Sequence, residues 1–389
     1  MAAKLERVSQ GLRTVFAVAL LTVATWAAAQ ELNPSHPDTY VVQKGDTLWD
    51  IAGRFLQRPW LWPEIWQANP QIANPHLIYP GDVISLSYLD RVVVQPGPRE
   101  EAPIDGIALA QVAPFLKDLR VVDGFEQLPH VVGLEGDRLR SSDGQLAYLA
   151  GVAGAQPGQR YAVVRPTQRF TRLDRTQCCD IFDKDDLDYR GRAVPDSEDF
   201  WTAVVTPDNG SELLGYEMMH VANGTITRGT VGGIEAATLL LDEHGKEVRV
   251  GDRIVQVTPQ PYDLRFFPHA PVQQFEYGRA RILAVADMLT TGGTHDVVAL
   301  SVGARDGVDN GTVFSSWSIG ESVVDRVENG PWDRSEDTFG RSSKVRLPDE
   351  FAGHMMVFRT FDTVSYALVM DTIRPVRVGH ELKHPDAPY

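Results

Sequence analysis

The spacing of apolar residues changes period several times between residues 39 and 88. Thr39–Gln43 (TYVVQ) is β-prone and reads as a strand. Lys44-Gly45-Asp46 reads as a turn. Leu48, Ile51, Ala52 and Phe55 then recur at helical spacing on one face. Thr47, with Asp50 three residues later, fits a capping box at the start of that helix. Pro63 suits the first position of a second helix carrying Ile65, Trp66 and Ala68, and Asn69-Pro70 ends it. Pro80-Gly81-Asp82 is a second turn, and Val83–Leu86 a second strand. The predicted order is strand, helix, helix, strand.

Beyond this module the pattern becomes mainly β. Residues 89–104 (LDRVVVQPGPREEAPI) hold three prolines and mixed charges, and read as a linker. Residues 105–200 read as a mixed region of strands with one helix in 105–122, interrupted or started near Pro114. Residues 201–389 read as a β-rich repeat region. Asn-Gly pairs at 209–210, 223–224, 310–311 and 329–330 are hairpin signals. Segments 147–164, 237–257, 297–317 and 366–385 share one pattern: an apolar strand, a polar link, a glycine and a second strand. Three of them follow a Gly-led strand, at 215–221, 278–285 and 353–358. The fold class expected is therefore an α+β module (βααβ) followed by a mainly β region of repeated small β units, a barrel-like β assembly or tandem modules.

The first segment resembles the LysM family. Tyr-Val-Val-x-x-Gly-Asp-Thr-Leu-Trp-x-Ile-Ala opens it, Trp-x-x-Ile-x-x-Ala-Asn stands in the middle, and Leu-Ile-Tyr-Pro-Gly-Asp-x-Ile closes it. The resemblance covers residues 39–88, with the domain placed at 38–88. It implies a carbohydrate-binding module for N-acetylglucosamine polymers, with the sugar in a shallow groove between two loops. Carried over by motif, those loops are Gly45, Asp46, Thr47 and Leu48, and Asn74, Pro75, Leu77, Ile78, Tyr79 and Pro80. Thr47 and Gly81 also have plain structural duties, a cap and a turn. Gln57–Trp66 (QRPWLWPEIW) lengthens the inter-helix segment relative to the family pattern. Its three tryptophans are read as core for a domain too small to have much, with sugar stacking as the alternative. The whole layout is similar to exported LysM proteins of proteobacteria, whose β region carries no activity that can be transferred.

Charge and chemistry narrow the picture. The formal net charge is -15, which repels phosphate backbones, so nucleic acid is not an expected partner. Residues 1–29 read as a secretory signal: Lys4, Arg7 and Arg13, an apolar stretch Val15–Trp26, then Ala27-Ala28-Ala29. The apolar run falls short of the ~20 residues that span a bilayer, so no membrane span is expected after cleavage. The reading places the protein in the periplasm, associated with the cell wall. Adjacent Cys178 and Cys179 are too close in sequence for ordinary disulfide geometry with each other.

His380-Glu381-Leu382-Lys383-His384 matches the zinc-protease pattern His-Glu-x-x-His. The repeat aligns Gly379-His380-Glu381-Leu382 with Gly251-Asp252-Arg253-Ile254 and Gly311-Thr312-Val313-Phe314, which puts the pattern on a strand. Strand geometry separates the two histidines by roughly 13 Å, too far to share a metal ion. The acidic run 180–188 lacks the bidentate Glu of a calcium loop. The last ten residues lack the alternating strand of an outer-membrane barrel. No metal, cofactor or catalytic set is assigned. The expectation is a non-catalytic protein whose module binds peptidoglycan glycan strands and tethers a β-rich region that meets an envelope protein. The alternative is a cell-wall hydrolase with carboxylate chemistry in the β region.

Overall fold

The computed structural model describes residues 32–63, 78–87, 91–95, 104, 106–172, 201–204, 212–230, 233–242, 245–257, 267–286, 291–324 and 344–388. The signal segment 1–29, both cysteines and the acidic run 180–188 lie outside them. The chain divides into two compact units, one of residues 1–108 with 265–269, the other of 109–264 with 270–389.

In the first unit, β1 (Thr39–Val41) pairs antiparallel with β2 (Val83–Ser87), which pairs with β3 (Arg91–Gln95). The helix Leu48–Phe55 buries Leu48, Trp49, Ile51, Ala52 and Phe55. Thr47 caps it as predicted: its hydroxyl accepts the Asp50 N–H at 3.2 Å and donates to the Asp50 carboxylate at 2.7 Å. Trp60 and Trp62 are buried, so both are core rather than a sugar platform. Residues 62 and 63 are helical; the rest of the predicted second helix, with Ile65, Trp66 and Ala68, lies outside the described residues.

The expected linker 89–104 is corrected by this sheet. Residues 91–95 form β3, and Ile104 is buried in the module core with its N–H donating to Ile78 C=O at 2.7 Å. The β-branched run Val92–Val94 outweighs the prolines that follow it.

The second unit opens with a helix, Leu109–Asp118, that carries Pro114 within it. Two strand sets follow. The first is β4 (Leu119–Val122), β5 (His130–Leu134), β6 (Leu146–Ala150), β7 (Arg160–Thr171), β9 (Leu213–Arg228), β10 (Ala237–Leu241) and β11 (Arg253–Gln256). β8 (Trp201–Val204) intervenes in sequence and joins the second sheet. The first sheet runs β10-β6-β5-β11-β7-β9, and β9 pairs again with β10, which closes a six-stranded barrel. β4 adds to the outside of β9.

The second set is β12 (Ile282–Ala286), β14 (Val297–Leu300), β15 (Val313–Ser318), β18 (Glu350–Thr360), β19 (Ser365–Thr372) and β21 (Glu381–Lys383). Two short pairings flank it: β13 (Thr291–Gly292) with β20 (Val376–Arg377), and β16 (Ser322–Val324) with β17 (Lys344–Arg346). Its order is β21-β15-β18-β19-β14-β12. Backbone bonds from Gly379 to Ile282 C=O and from Leu382 to Ala280 C=O return β21 to β12 and close a second barrel. Matched strand for strand, the two barrels have the same ring order. The predicted repeats are therefore half-barrels, three strands each. The boundary expected at 200/201 cuts through the first barrel, because β5–β7 and β9–β11 enclose one core.

One turn recurs in every half-barrel. Gly158, Gly251, Gly311 and Gly379 all have φ between +85° and +101°. Their N–H groups donate to the carbonyls of Ile226, Val131, Val357 and Ile282, at 2.7–2.8 Å. Each partner's own N–H returns a bond to the carbonyl of the residue after the glycine, at 2.8–3.1 Å. A side chain at that following position often closes the turn: Gln159, Asp252 and Thr312 each accept the N–H three residues earlier.

Asn223-Gly224 is not the hairpin its sequence signals; it lies inside β9. A Cβ at Gly224 would sit 2.6 Å from Leu240 C=O, so the glycine serves the close approach of β10.

At Gly379 a Cβ would meet nothing within 4 Å, so only the positive φ demands glycine. Gly379→Ala should lower stability by about 1–2 kcal/mol. Urea unfolding checks this, and an unchanged midpoint would show that the turn tolerates a side chain.

Candidate functional site

The two loops predicted to form a sugar groove are brought together by one residue. Val42 follows β1 and is buried. Its C=O accepts the Gly81 N–H at 2.8 Å, and its N–H donates to Asp82 C=O at 2.9 Å. The second turn, Tyr79-Pro80-Gly81-Asp82, is thereby clasped beside the first, Gln43-Lys44-Gly45-Asp46, which starts one residue after Val42. This is the same clasp that closes the half-barrels.

Each turn is closed by its own aspartate. Asp46 Oδ2 accepts the Gln43 N–H at 2.8 Å and the Tyr40 hydroxyl at 2.7 Å. Asp82 Oδ2 accepts the Tyr79 N–H at 2.9 Å, and Asp82 N–H donates to Tyr79 C=O at 3.0 Å. Gly45 and Gly81 take φ of 95° and 90°, as this turn requires. Burial first, then the Asp46 hydrogen bond, raises the Tyr40 phenol above its ordinary range. The Arg54 guanidinium sits 4.5 Å from the Tyr40 ring centre.

Of the predicted contact residues, Gly45 is exposed, and Asp46, Tyr79 and Pro80 are half-buried. Ile78 is buried in the module core, so its side chain is not offered to a ligand. Leu48 is fully buried in the module core, which removes it from the groove. As the first apolar residue of the helix stripe it faces inward. Thr47 is also buried and engaged in the cap. Asn74, Pro75 and Leu77 lie outside the described residues. Sequence reasoning missed Val42 and Asp82. The signal was the repeated x-x-Gly-Asp spacing at 43–46 and 79–82. What the two turns offer is exposed backbone, a tyrosine ring and a proline.

The His-Glu-x-x-His segment is on a strand, as the repeat predicts. Glu381–Lys383 is β21, paired with β15. His380 is buried, and its Nδ1 lies 3.0 Å from Ser316 Oγ. Burial, then the nearby Arg377 charge, pushes its pKa down to about 4. Glu381 is buried with one carboxylate oxygen accepting the Gly278 N–H at 2.6 Å and the other 3.3 Å from Arg281 Nε. Burial raises its pKa, against the pull of those donors. The helical turn that would bring both histidines onto one ion is not formed.

Two predictions follow from these positions. Trp49 is buried against Trp60, with ring centres 6.3 Å apart. Trp49→Ala should cost about 3–5 kcal/mol and open the module to limited proteolysis, whereas resistance equal to the parent would take Trp49 out of the core. For His380, an unfolded histidine titrates near 6.5 and the folded one near 4. Between those values the unfolded chain binds the proton and the folded chain does not. Stability should therefore fall as pH drops from about 6.5 towards 4. His380→Thr, which copies Thr312 of the equivalent turn, should flatten that part of the pH dependence. Parallel urea midpoints for parent and variant across this window would contradict it.

Among described residues, no helix is long and apolar enough to cross a membrane. The LysM domain model matches residues 40–87. The uncharacterized protein YqbP of Bacillus subtilis (strain 168) is 40% identical over 62 residues, 13% of this chain and 28% of that protein. The similarity thus spans little more than a quarter of that relative's length. Residues 40–87 of this chain are a LysM domain, a module that in general supports binding to glycans of the peptidoglycan and chitin type.

Proposed function

We propose that the protein binds peptidoglycan glycan strands through its LysM domain and tethers the double-barrel unit to the cell wall. The observation that carries this reading is the Val42 clasp, which sets the 43–46 and 79–82 turns side by side. N-acetylglucosamine presents an amide, hydroxyls and a methyl group. The turn backbone at Gly45 and Pro80 and the half-buried Tyr79 ring match them without a titrating group. In this reading the contact residues are Gly45, Asp46, Asn74, Pro75, Leu77, Tyr79 and Pro80, with Ile78 supporting them from below. The binding is non-catalytic, and the barrels supply a platform for an envelope protein. Export by the 1–29 segment and a periplasmic location complete the reading.

Co-sedimentation with purified peptidoglycan sacculi tests it. The full chain should pellet, and a chain lacking residues 38–104 should stay in solution. Equal pelleting of both would refute the tether. No soluble muropeptides should be released; their release would make the protein a hydrolase. Tyr79→Ala should keep the module folded and weaken binding by about 1–2 kcal/mol, the scale of one aromatic contact. Undiminished affinity in a folded Tyr79→Ala protein would move the ligand elsewhere on the module.

A further inference from the structure

The loop before β12 and the segment after β15's partner strand β21 enclose a cavity of about 460 Å³ in the double-barrel unit. Gln273, Gln274, Phe275, Tyr277, Lys383 and Asp386 are among the residues that line it. Glu381 also borders it, but its oxygens are engaged by Gly278 and Arg281.

Lys383 is held in place rather than left to wander. Its Nζ donates to Asp349 Oδ2 at 2.8 Å and stands 4.5 Å from the Trp317 ring centre. An ammonium has three donors, so this anchoring leaves capacity for a ligand oxygen. Asp386 is positioned by a turn. Its N–H donates to His384 Nδ1 at 3.1 Å, and Ala387 N–H donates to His384 C=O at 2.9 Å. The Asp386 Oδ2 lies 3.8 Å from His384 Nδ1, and the side chain remains one-third exposed.

The volume falls in the range that encloses small molecules, about 300–1,000 Å³. The wall chemistry chooses among them. One anchored ammonium and one accessible carboxylate at a single cavity favour a ligand with both charges over a neutral sugar. Gln273 Nε2 donates to Asp306 C=O at 3.2 Å and keeps a second N–H and its carbonyl oxygen, so the amides of Gln273 and Gln274 can each donate and accept, as a peptide group requires. Phe275 and Leu382 supply apolar wall for a short side chain.

We propose that this cavity binds a short peptide with free termini, its carboxylate on Lys383, its ammonium on Asp386, and its peptide groups on Gln273 and Gln274. The site is separate from the LysM glycan site and does not depend on it.

The probe is tri-alanine, titrated into the full chain by calorimetry and followed by NMR shifts. Saturable binding to one site is expected. Capping the peptide's amine by acetylation should weaken it about three- to fivefold, the scale of an accessible charge pair. In Asp386→Asn, a change at an exposed side chain, acetylation should make no further difference, while amidation of the carboxylate should still weaken binding. In Lys383→Gln the two responses should exchange. A chitotetraose excess should not compete. The proposal is overturned by no saturation up to about 10 mM, by an acetylation penalty undiminished in Asp386→Asn, or by competition from the sugar.

Discussion

A single backbone device recurs through this chain: a glycine at positive φ whose N–H is accepted by a buried β-branched residue that returns its own N–H. It occurs at Gly81 with Val42, Gly158 with Ile226, Gly251 with Val131, Gly311 with Val357 and Gly379 with Ile282. All five partners are buried. The two bonds lock a strand entry to a distant strand, and a one-residue slip would turn the core side chains to solvent. In the barrels this fixes where each half closes on the other. In the LysM domain it holds two surface loops together. The left-handed backbone costs an L-residue roughly 1–2 kcal/mol, which is why glycine stands at each of the five positions.

The barrels are joined by polar bonds rather than by apolar contact alone. Glu217 on β9 is fully buried, and its carboxylate accepts the Thr167 hydroxyl and the Tyr366 hydroxyl, each at 2.8 Å. Tyr366 belongs to the second barrel, and burial, then the Glu217 charge, raises its phenol well above the ordinary range. Thr363 donates to Leu214 C=O, and Arg172 donates to the carbonyls of Arg279 and Ser301. A buried carboxylate is expensive unless hydrogen-bonded, so its worth lies in direction. The observed docking of the barrels satisfies it. Phe115 adds edge-on contacts to Phe358 and Tyr366 beside it.

Legibility in the sequence followed how local each determinant was. The cap at Thr47, the helix stripe Leu48–Phe55 and the glycine turns are set by residues within four positions of one another, and all could be read directly. The strand character of His380–His384 came from aligning Gly379 with Gly251 and Gly311, a local pattern repeated. What could not be read was pairing between distant segments. The repeated x-x-Gly-Asp spacing marks the turns at 43–46 and 79–82 but does not say that Val42 will bond to Asp82, and nothing in 91–95 says which strand it will join. The closure of β21 onto β12 and the engagement of Glu217 by Tyr366 are of the same kind. Leu48 was misplaced for a related reason. A family motif marks a loop, while the helix period within that loop decides which side chain turns inward.

The residue that follows the clasp glycine shows how one turn serves two ends. Asp252 and Thr312 are buried there and accept a backbone N–H, so their turns complete a core. Asp82 does the same in the LysM domain, yet Pro80 and Gly81 beside it stay half-exposed. Asp46, in the matching turn without a clasp, is half-exposed and has recruited the Tyr40 hydroxyl as well. The buried carboxylate thus fixes the backbone, and the two residues before it stay partly open to solvent. At His380 the same position holds an imidazole that turns to Ser316 instead of closing the turn. That turn keeps its glycine and both clasp bonds without the side-chain cap. The clasp is therefore the necessary part, and the residue after it is the variable one, free to be a cap in one repeat and a buried neutral histidine in another.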